Sequence, residues 1–339
     1  MTQLPAIECF PTSNGAQIYR FPLVVFPGLV GFSHLILNLA APILVDTGSG
    51  FGENNEHLAL GIAALRDQFG VALQLTDIQT ILITHGHIDH FGGLAFAVEQ
   101  TGARVGIHRL DRRVLTNYEE RIVVATKDLN IYLERAGVDR ARQEEIITMY
   151  GFAKKHLRSV KVNFDLDDDS VLPGMRIIHA PGHCPGQVCI LIGDVLLSAD
   201  HVLPHTTPHQ APESLSFHTG LGHYRESLRK IELIDGIRLA LGGHEEPMPD
   251  IYRCIHAIRI DHDRKLNRVL EIIRQAGHPC AIDEITQTMY PNKIGYDIIL
   301  ALEEVGAHVE YLYQHGELSV ANLDEVERES NPALCYAVA

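Results

Sequence analysis

Apolar and polar positions change period several times along the chain, and each change marks a predicted element. Residues 16–46 carry short aliphatic runs (Ala16–Arg20, Leu23–Phe26, His34–Leu39 and Ile43–Asp46) cut by Pro22, Pro27, Gly28, Gly31 and Pro42. That punctuation predicts strands joined by turns. Residues 54–69 show helical spacing (Leu58, Ile62, Leu65, Phe69) and stop at Gly70. The β-branched run Thr80–Ile83 predicts a buried strand, followed by a helix near 92–101 and a strand at 104–108. A long helical stretch covers 109–157, with breaks expected at Gly137 and Gly151. Strands resume at 175–179, 187–192 and 195–198, then a helix at 220–235 leads to a strand at 238–241. Two strand-rich halves around helical material predict packed sheets with helices outside.

The pattern changes at Pro247-Met248-Pro249. A long amphipathic helix is predicted at 251–276, short helices at 281–289 and 295–306, and a hairpin over Val309–Val320. That order resembles a small winged-helix module. The division is then a catalytic domain at 1–250, with a helical insertion at 109–160, and a winged-helix-like domain at 251–339. From Asp250 onward 8 Lys and Arg stand against 15 Asp and Glu, a net of −7, so packing or homodimerisation suits this module better than DNA.

Candidate chemistry concentrates at strand ends. The run Thr84-His85-Gly86-His87-Ile88-Asp89-His90-Phe91-Gly92-Gly93 crowds three imidazoles and a carboxylate into one strand-to-helix turn. Imidazole nitrogen and carboxylate oxygen suit zinc and similar divalent ions. In a strand continued past its end, His85 and His87 point the same way, while Asp89 and His90 can turn toward a second ion. His183 in the turn Ala180–Gly186, Asp200 after Ser198-Ala199, and His244 after Gly242-Gly243 add the same residue types at three more strand ends. The set could hold two ions.

In type and order, Asp46, His85-x-His87-x-Asp89-His90, His183, Asp200 and His244 resemble the motifs of the metallo-β-lactamase fold superfamily, over residues 15–250 or so. The resemblance implies an α/β fold, an αββα sandwich with its metal site at one edge of the two sheets. It implies that His85, His87 and His183 bind one zinc, that Asp89, His90 and His244 bind the other, and that Asp200 bridges them. Asp46 would support the site by hydrogen bonding without binding metal. The residues His87 and Asp89-His90 favour a hydrolase over the di-iron flavoprotein branch. Gly222–Leu228 and Leu241–Pro247, with His256, Arg259, His262 and Arg264 in the next helix, look like a subgroup with a C-terminal winged helix. Its members are similar to glyoxalase II in the catalytic half and include thioesterases and endoribonucleases.

Two cations sharing a water would lower its pKa toward ~7, and the hydroxide would attack a carbonyl or phosphorus while the ions stabilise the oxyanion. Asp89, between the ion sites, can be both ligand and acceptor of the nucleophile's proton. The expected function is hydrolysis of an ester, thioester or lactone of a small metabolite with two Zn2+, Fe or Mn being able to share the ligands; the alternative is a metal-dependent endoribonuclease. Basic residues between Arg104 and Lys161, Lys154 and Lys155 among them, speak for RNA. A net charge of −15 speaks against a general polyanion surface. The apolar positions Leu115, Tyr118, Ile122, Val123, Leu129 and Tyr132 read as core or as a wall over an acyl group. His201, His205, His209, His218 and Tyr224 are candidates for a general acid. No apolar run reaches the ~18–20 residues of a membrane span, and six scattered cysteines without a C-x-x-C pair suit reduced thiols in the cytoplasm.

Overall fold

The structure, a computed structural model, describes residues 4–153, 157–168 and 170–339. Lys154 and Lys155 lie outside the described residues. The chain forms two compact units that are not consecutive blocks. One comprises Met1–Tyr118, Leu157–Pro208 and Ser227–Ile255; the other comprises Glu119–His156, His209–Glu226 and His256–Ala339. Most of the helical insertion expected at 109–160 therefore groups with the C-terminal residues.

The first unit contains two sheets. Seven strands run in chain order: β1 (Glu8–Pro11), β2 (Gln17–Phe26), β3 (Leu29–Leu37), β4 (Ile43–Val45), β5 (Thr80–Leu82), β6 (Arg104–Ile107) and β7 (Phe164–Asp165). They pair antiparallel as far as β4 and parallel from there to β7. The second sheet holds β8 (Val171–Leu172), β9 (Met175–His179), β10 (Val188–Ile192), β11 (Val195–Ala199) and β12 (Leu239–Gly242), ordered 12-11-10-9-8. Only β11 and β12 are parallel there.

The two-residue period of a strand explains the layering. Ile18, Ile36, Val45 and Leu82 face Ile177, Ile190, Leu197 and Leu241 of the other sheet in one buried cluster. On the opposite side of β2, Phe21 meets Gly61 of helix α1 (Asn54–Phe69), and the Tyr19 and Phe69 rings touch edge to face. Each fully buried Ile or Leu side chain contributes roughly 1.5–3 kcal/mol. The outcome is the expected α/β sheet sandwich. Pro22 does not divide β2 as expected. It pairs with Phe32 in β3, and β1 flanks β2 only as far as Arg20, so the missing N–H falls beside an open flank. The short strands β1, β7 and β8 carry too few apolar residues to show a period.

Helices α2 (Ile88–Phe91), α3 (Leu94–Thr101) and α4 (Arg112–Thr116) complete the loops of this unit. The second unit is built on α5 (Tyr118–Arg135), α6 (Arg140–Ala153), α7 (Leu221–Glu232), which continues into the first, and α8 (Ile251–Ala276). It also holds α9 (Ile282–Met289), α10 (Tyr296–Gln314), α11 (Leu323–Arg328) and a sheet of β13 (Cys280–Ala281), β15 (Cys335–Val338) and β14 (Leu318–Val320). Gly137, in the left-handed region at φ 81°, breaks the helical stretch, but Gly151 stays inside α6. The expected hairpin at Val309–Val320 is not formed. Ile299, Leu302, Val305, Val309 and Leu312 keep helical spacing and are all buried, so α10 continues, and β14 pairs instead with β15. Tyr132 donates to the Leu302 carbonyl at 2.6 Å, an approach that needs Gly306 because a Cβ there would lie 2.1 Å from the Tyr132 hydroxyl. No described helix is long and apolar enough to cross a membrane.

Candidate metal centre

Every predicted ligand follows the end of a strand in the first unit. Ile83 and Thr84 prolong β5, and His87 keeps an extended backbone (φ −88°, ψ 146°), which puts His85 and His87 on one side. The single turn of α2 then carries Asp89 and His90. His183 lies between β9 and β10, Asp200 directly after β11, and His244 after β12. The Thr84 carbonyl accepts the Val188 N–H at 2.9 Å, which ties the β5 end to the second sheet. Two sharp bends aim the carboxylates. Asp46 (φ 59°) and Ala199 (φ 46°) sit in the left-handed region, at a cost of about 1–2 kcal/mol for a residue such as alanine.

The side chains converge as two groups. One is His85, His87 and His183; the other is Asp89, His90, Asp200 and His244, each with ligand atoms within 4.8 Å of one another. His85 Nε2 lies 3.1 Å from His87 Nδ1. Around Asp200 Oδ2 stand His90 Nε2 at 3.3 Å, His244 Nε2 at 3.5 Å and His183 Nε2 at 3.9 Å. Asp89 Oδ2 is 3.2 Å from His244 Nε2. All seven predicted ligands are thus brought to one place.

The far side of three of these rings is committed elsewhere. His90 Nδ1 donates to Asp46 Oδ2 at 2.8 Å, His244 Nδ1 to the Val30 carbonyl at 2.8 Å, and His85 Nδ1 to the Thr84 hydroxyl at 3.1 Å. With Nδ1 committed in this way, as assigned from the network, Nε2 of His85, His90 and His244 is the nitrogen turned to the centre, where a cation would displace any proton it shares with Asp89 or Asp200. Asp46 also accepts the Thr84 N–H and hydroxyl, both at 2.8 Å. The buried His90 Nε2 and Asp200 Oδ1 have no hydrogen-bond partner in the protein. Unmatched polar atoms beside a cluster of lone pairs fit divalent cations.

Charge couples the carboxylates to the same rings. Burial alone would raise the Asp200 carboxyl, but His90 and His244 outweigh it and hold it well below the carboxylate range. Asp89 is likewise held near 2, against burial, by the bond from His244 and the charge of His90. Burial opposes charge on His244, yet Asp200 and Asp89 raise it to about 10. His85, fully buried and facing His90 and His87, is pushed well below the usual imidazole value.

A model of the metallo-beta-lactamase superfamily matches residues 27–244, a span that takes in Asp46 and ends on His244. The chain belongs to that superfamily. Among curated relatives of this metallo-beta-lactamase superfamily member, a probable metallo-hydrolase of Bacillus subtilis strain 168 (YqjP) is 24% identical over 283 residues, covering 79% of this chain and 83% of the relative. Two crystal structures share the fold. A metallo-beta-lactamase family protein of Thermus thermophilus (TTHA1429) aligns with TM-score 0.75 and 22% identity over 95% of this chain and 98% of its own. A beta-lactamase domain protein of Burkholderia ambifaria aligns with TM-score 0.75 and 22% identity over 100% and 96%.

The other predicted candidates are dispersed. His201 is fully buried, and burial, reinforced by the nearby His183, lowers its pKa to about 3 and favours the neutral imidazole. His205 is exposed and bonds Glu246. In the second unit His209 pairs with Glu303 at 2.9 Å, the His218 ring lies beside His223, and buried Tyr224 packs on His262. Cys184 is a buried thiol raised well above its ordinary pKa by burial and by Asp111, which unsuits it as a nucleophile. All six cysteines are unbridged.

A third group, His262, Glu304 and His308 in the second unit, also has metal-ligand spacing. Lys265 Nζ already neutralises Glu304 at 2.7 Å, the Gln210 N–H donates to the same carboxylate at 2.8 Å, and His262 Nδ1 meets His308 Nε2 at 3.1 Å. It is a buried hydrogen-bond network with its own cation.

Sequence reasoning passed over the residues that hold the ligands. Arg20 ends the predicted strand run Ala16–Arg20 and drew no role there, yet it is 2% exposed. Its guanidinium stacks on Phe32 and donates to the Glu245 carbonyl, next to His244. Thr84 has a better signal, since it stands immediately before the histidine run.

Proposed function

We propose that this metal-dependent hydrolase holds one divalent cation through His85, His87 and His183 and a second through Asp89, His90 and His244, with Asp200 between them. Its reaction is hydrolysis of an ester, thioester or lactone bond in a small metabolite. The observation that carries the reading is the convergence of three imidazole Nε2 atoms from separate loops within 3.9 Å of Asp200 Oδ2. Cations held by these residues would supply Lewis acidity and a water acidic enough to ionise near neutral pH. Mixed nitrogen and oxygen donors suit zinc, and iron or manganese accept the same set.

The protein's own groups do the rest. Asp46, through His90, and the Val30 carbonyl, through His244, fix ring tautomers. Asp89, 18% exposed against 10% for Asp200, is the carboxylate placed to accept a proton from the solvent side. Three of the basic side chains that could have tracked RNA pair with carboxylates: Arg112 with Asp165 at 2.6 Å, Arg142 with Asp283 at 2.6 Å and Arg158 with Glu99 at 2.7 Å. With a net charge of −15, this favours a small acyl substrate over a polyanion.

The test is elemental analysis of the purified protein together with chelator-sensitive hydrolysis of acyl-CoA, aryl ester and lactone panels. Asp200→Ala should abolish hydrolysis and lower bound metal below two ions per chain. Full activity in that variant, or cleavage of single-stranded RNA with steep salt dependence in place of ester cleavage, would overturn the reading.

A further inference from the structure

Asp111 belongs to no predicted motif, yet its carboxylate joins two of the metal loops. It follows β6 in the turn His108-Arg109-Leu110-Asp111 and is 1% exposed. Oδ2 accepts the Gly86 N–H at 2.8 Å, from the peptide between His85 and His87. Oδ1 accepts the Gly186 N–H at 3.0 Å, and the Cys184 thiol donates to Oδ2 at 3.3 Å, both from the turn that carries His183. Gly186 is needed for this approach, and Gly86 leaves room for it. A Cβ on Gly186 would stand 2.6 Å from Asp111 Cγ, and one on Gly86 would stand 3.3 Å from it. His85, His87 and His183 are the three ligands proposed for one cation. Asp89, His90, Asp200 and His244 make none of these bonds.

We propose that Asp111 is a positioning residue that clamps the His85-Gly86-His87 turn to the His183-Cys184 turn, and so sets the affinity of one cation of the pair and not the other. The argument is geometric. A charged acceptor shared by two backbone N–H groups makes stronger bonds than a neutral one. It fixes two loops that are 98 residues apart in the chain, counted from His85 to His183, through their backbone N–H groups. Outer-layer partners of metal ligands typically govern 10–100-fold in metal affinity. This inference rests on the ligand assignment proposed above.

Asp111→Asn is the direct test, because the amide keeps the shape but presents N–H to at least one of the two backbone donors. Zinc is titrated into the metal-free protein against a chromophoric chelator, and His87→Ala and His244→Ala identify which binding step belongs to which cation. The expected result is a step weakened roughly 10–100-fold, the one lost in His87→Ala, with the other step within about threefold of the unsubstituted protein. Gly186→Ala, which pushes on the same carboxylate from the other side, should weaken the same step. Unchanged affinity in both variants, or equal weakening of both steps, overturns the inference. So does failure of both variants to fold, since Asp111 would then be holding the fold and not the site. If the unsubstituted protein itself takes up fewer than two ions, the two-cation reading fails, and that outcome is visible before any variant is made.

Discussion

Asp46→Asn isolates what one buried carboxylate does for the centre. The substitution is mild for the backbone, since asparagine tolerates the left-handed φ of 59° at this position better than alanine. Oδ1 accepts the Thr84 N–H, and Oδ2 accepts both the Thr84 hydroxyl and His90 Nδ1–H, each at 2.8 Å. If the asparagine oxygen takes the Oδ1 position, its NH2 faces His90 Nδ1–H. Relief then requires moving that proton to Nε2, the nitrogen 3.3 Å from Asp200. If the amide is turned over, the NH2 meets the Thr84 backbone N–H, which cannot rotate away. Either arrangement leaves a buried donor facing a donor, worth about 1–3 kcal/mol. A loss of 10–100-fold in metal affinity is of the same size, about 1.4–2.7 kcal/mol. The Thr84 hydroxyl can turn to accept from the amide, but its hydrogen then leaves the carboxylate and its contact with His85 Nδ1 changes, so both cations should feel the substitution. Chelator competition on metal-free protein measures each binding step, and far-UV melting of the same samples separates lost affinity from lost fold. Two ions bound within about twofold of the unsubstituted affinity would refute the tautomer argument.

Gly243→Ala should empty the centre, because the new Cβ would stand 2.4 Å from Asp200 Oδ1 and 2.5 Å from His90 Cε1; elemental analysis should find fewer than two ions per chain, and full loading would contradict the packing. His262 supplies a pH test in the second unit, where it faces His308 and Glu304 of α10 and lies on α8 with Lys265 and Asp261. Burial, then His308, hold its pKa near 3, below the unfolded value, so its stabilisation is present above pH ~6.5 and is lost as pH falls toward 3; the loss between pH 7 and pH 5 is about 2 kcal/mol. His262→Gln should remove that much of the pH dependence of urea unfolding, and an unchanged pH slope would rule the histidine out.

What could be read from the chain divides along a physical line. Ligand chemistry depends on residue type at strand ends, and both are local properties. His85, His87, Asp89 and His90 fall within six residues, while His183, Asp200 and His244 each follow an apolar run that makes its own strand. Their convergence therefore follows once the sheets are drawn. Groups that hold the ligands owe their place to distant neighbours. Asp111 bonds partners 25 and 75 residues away, and Arg20 is buried because Phe32 and the Glu245 carbonyl cover it. No window of sequence around either residue contains that information. The same reasoning explains α10: the segment from Val309 to Gln314 is short enough to read as a strand, and only burial of Val309 and Leu312 in register with Ile299, Leu302 and Val305 decides for helix. It also explains why 119–156 and 209–226 join the C-terminal unit through pairs such as Tyr132 with Leu302 and His209 with Glu303. A ligand set can be legible at a glance while its affinity stays hidden, because affinity is set by the clamps, and the clamps are made by tertiary contact.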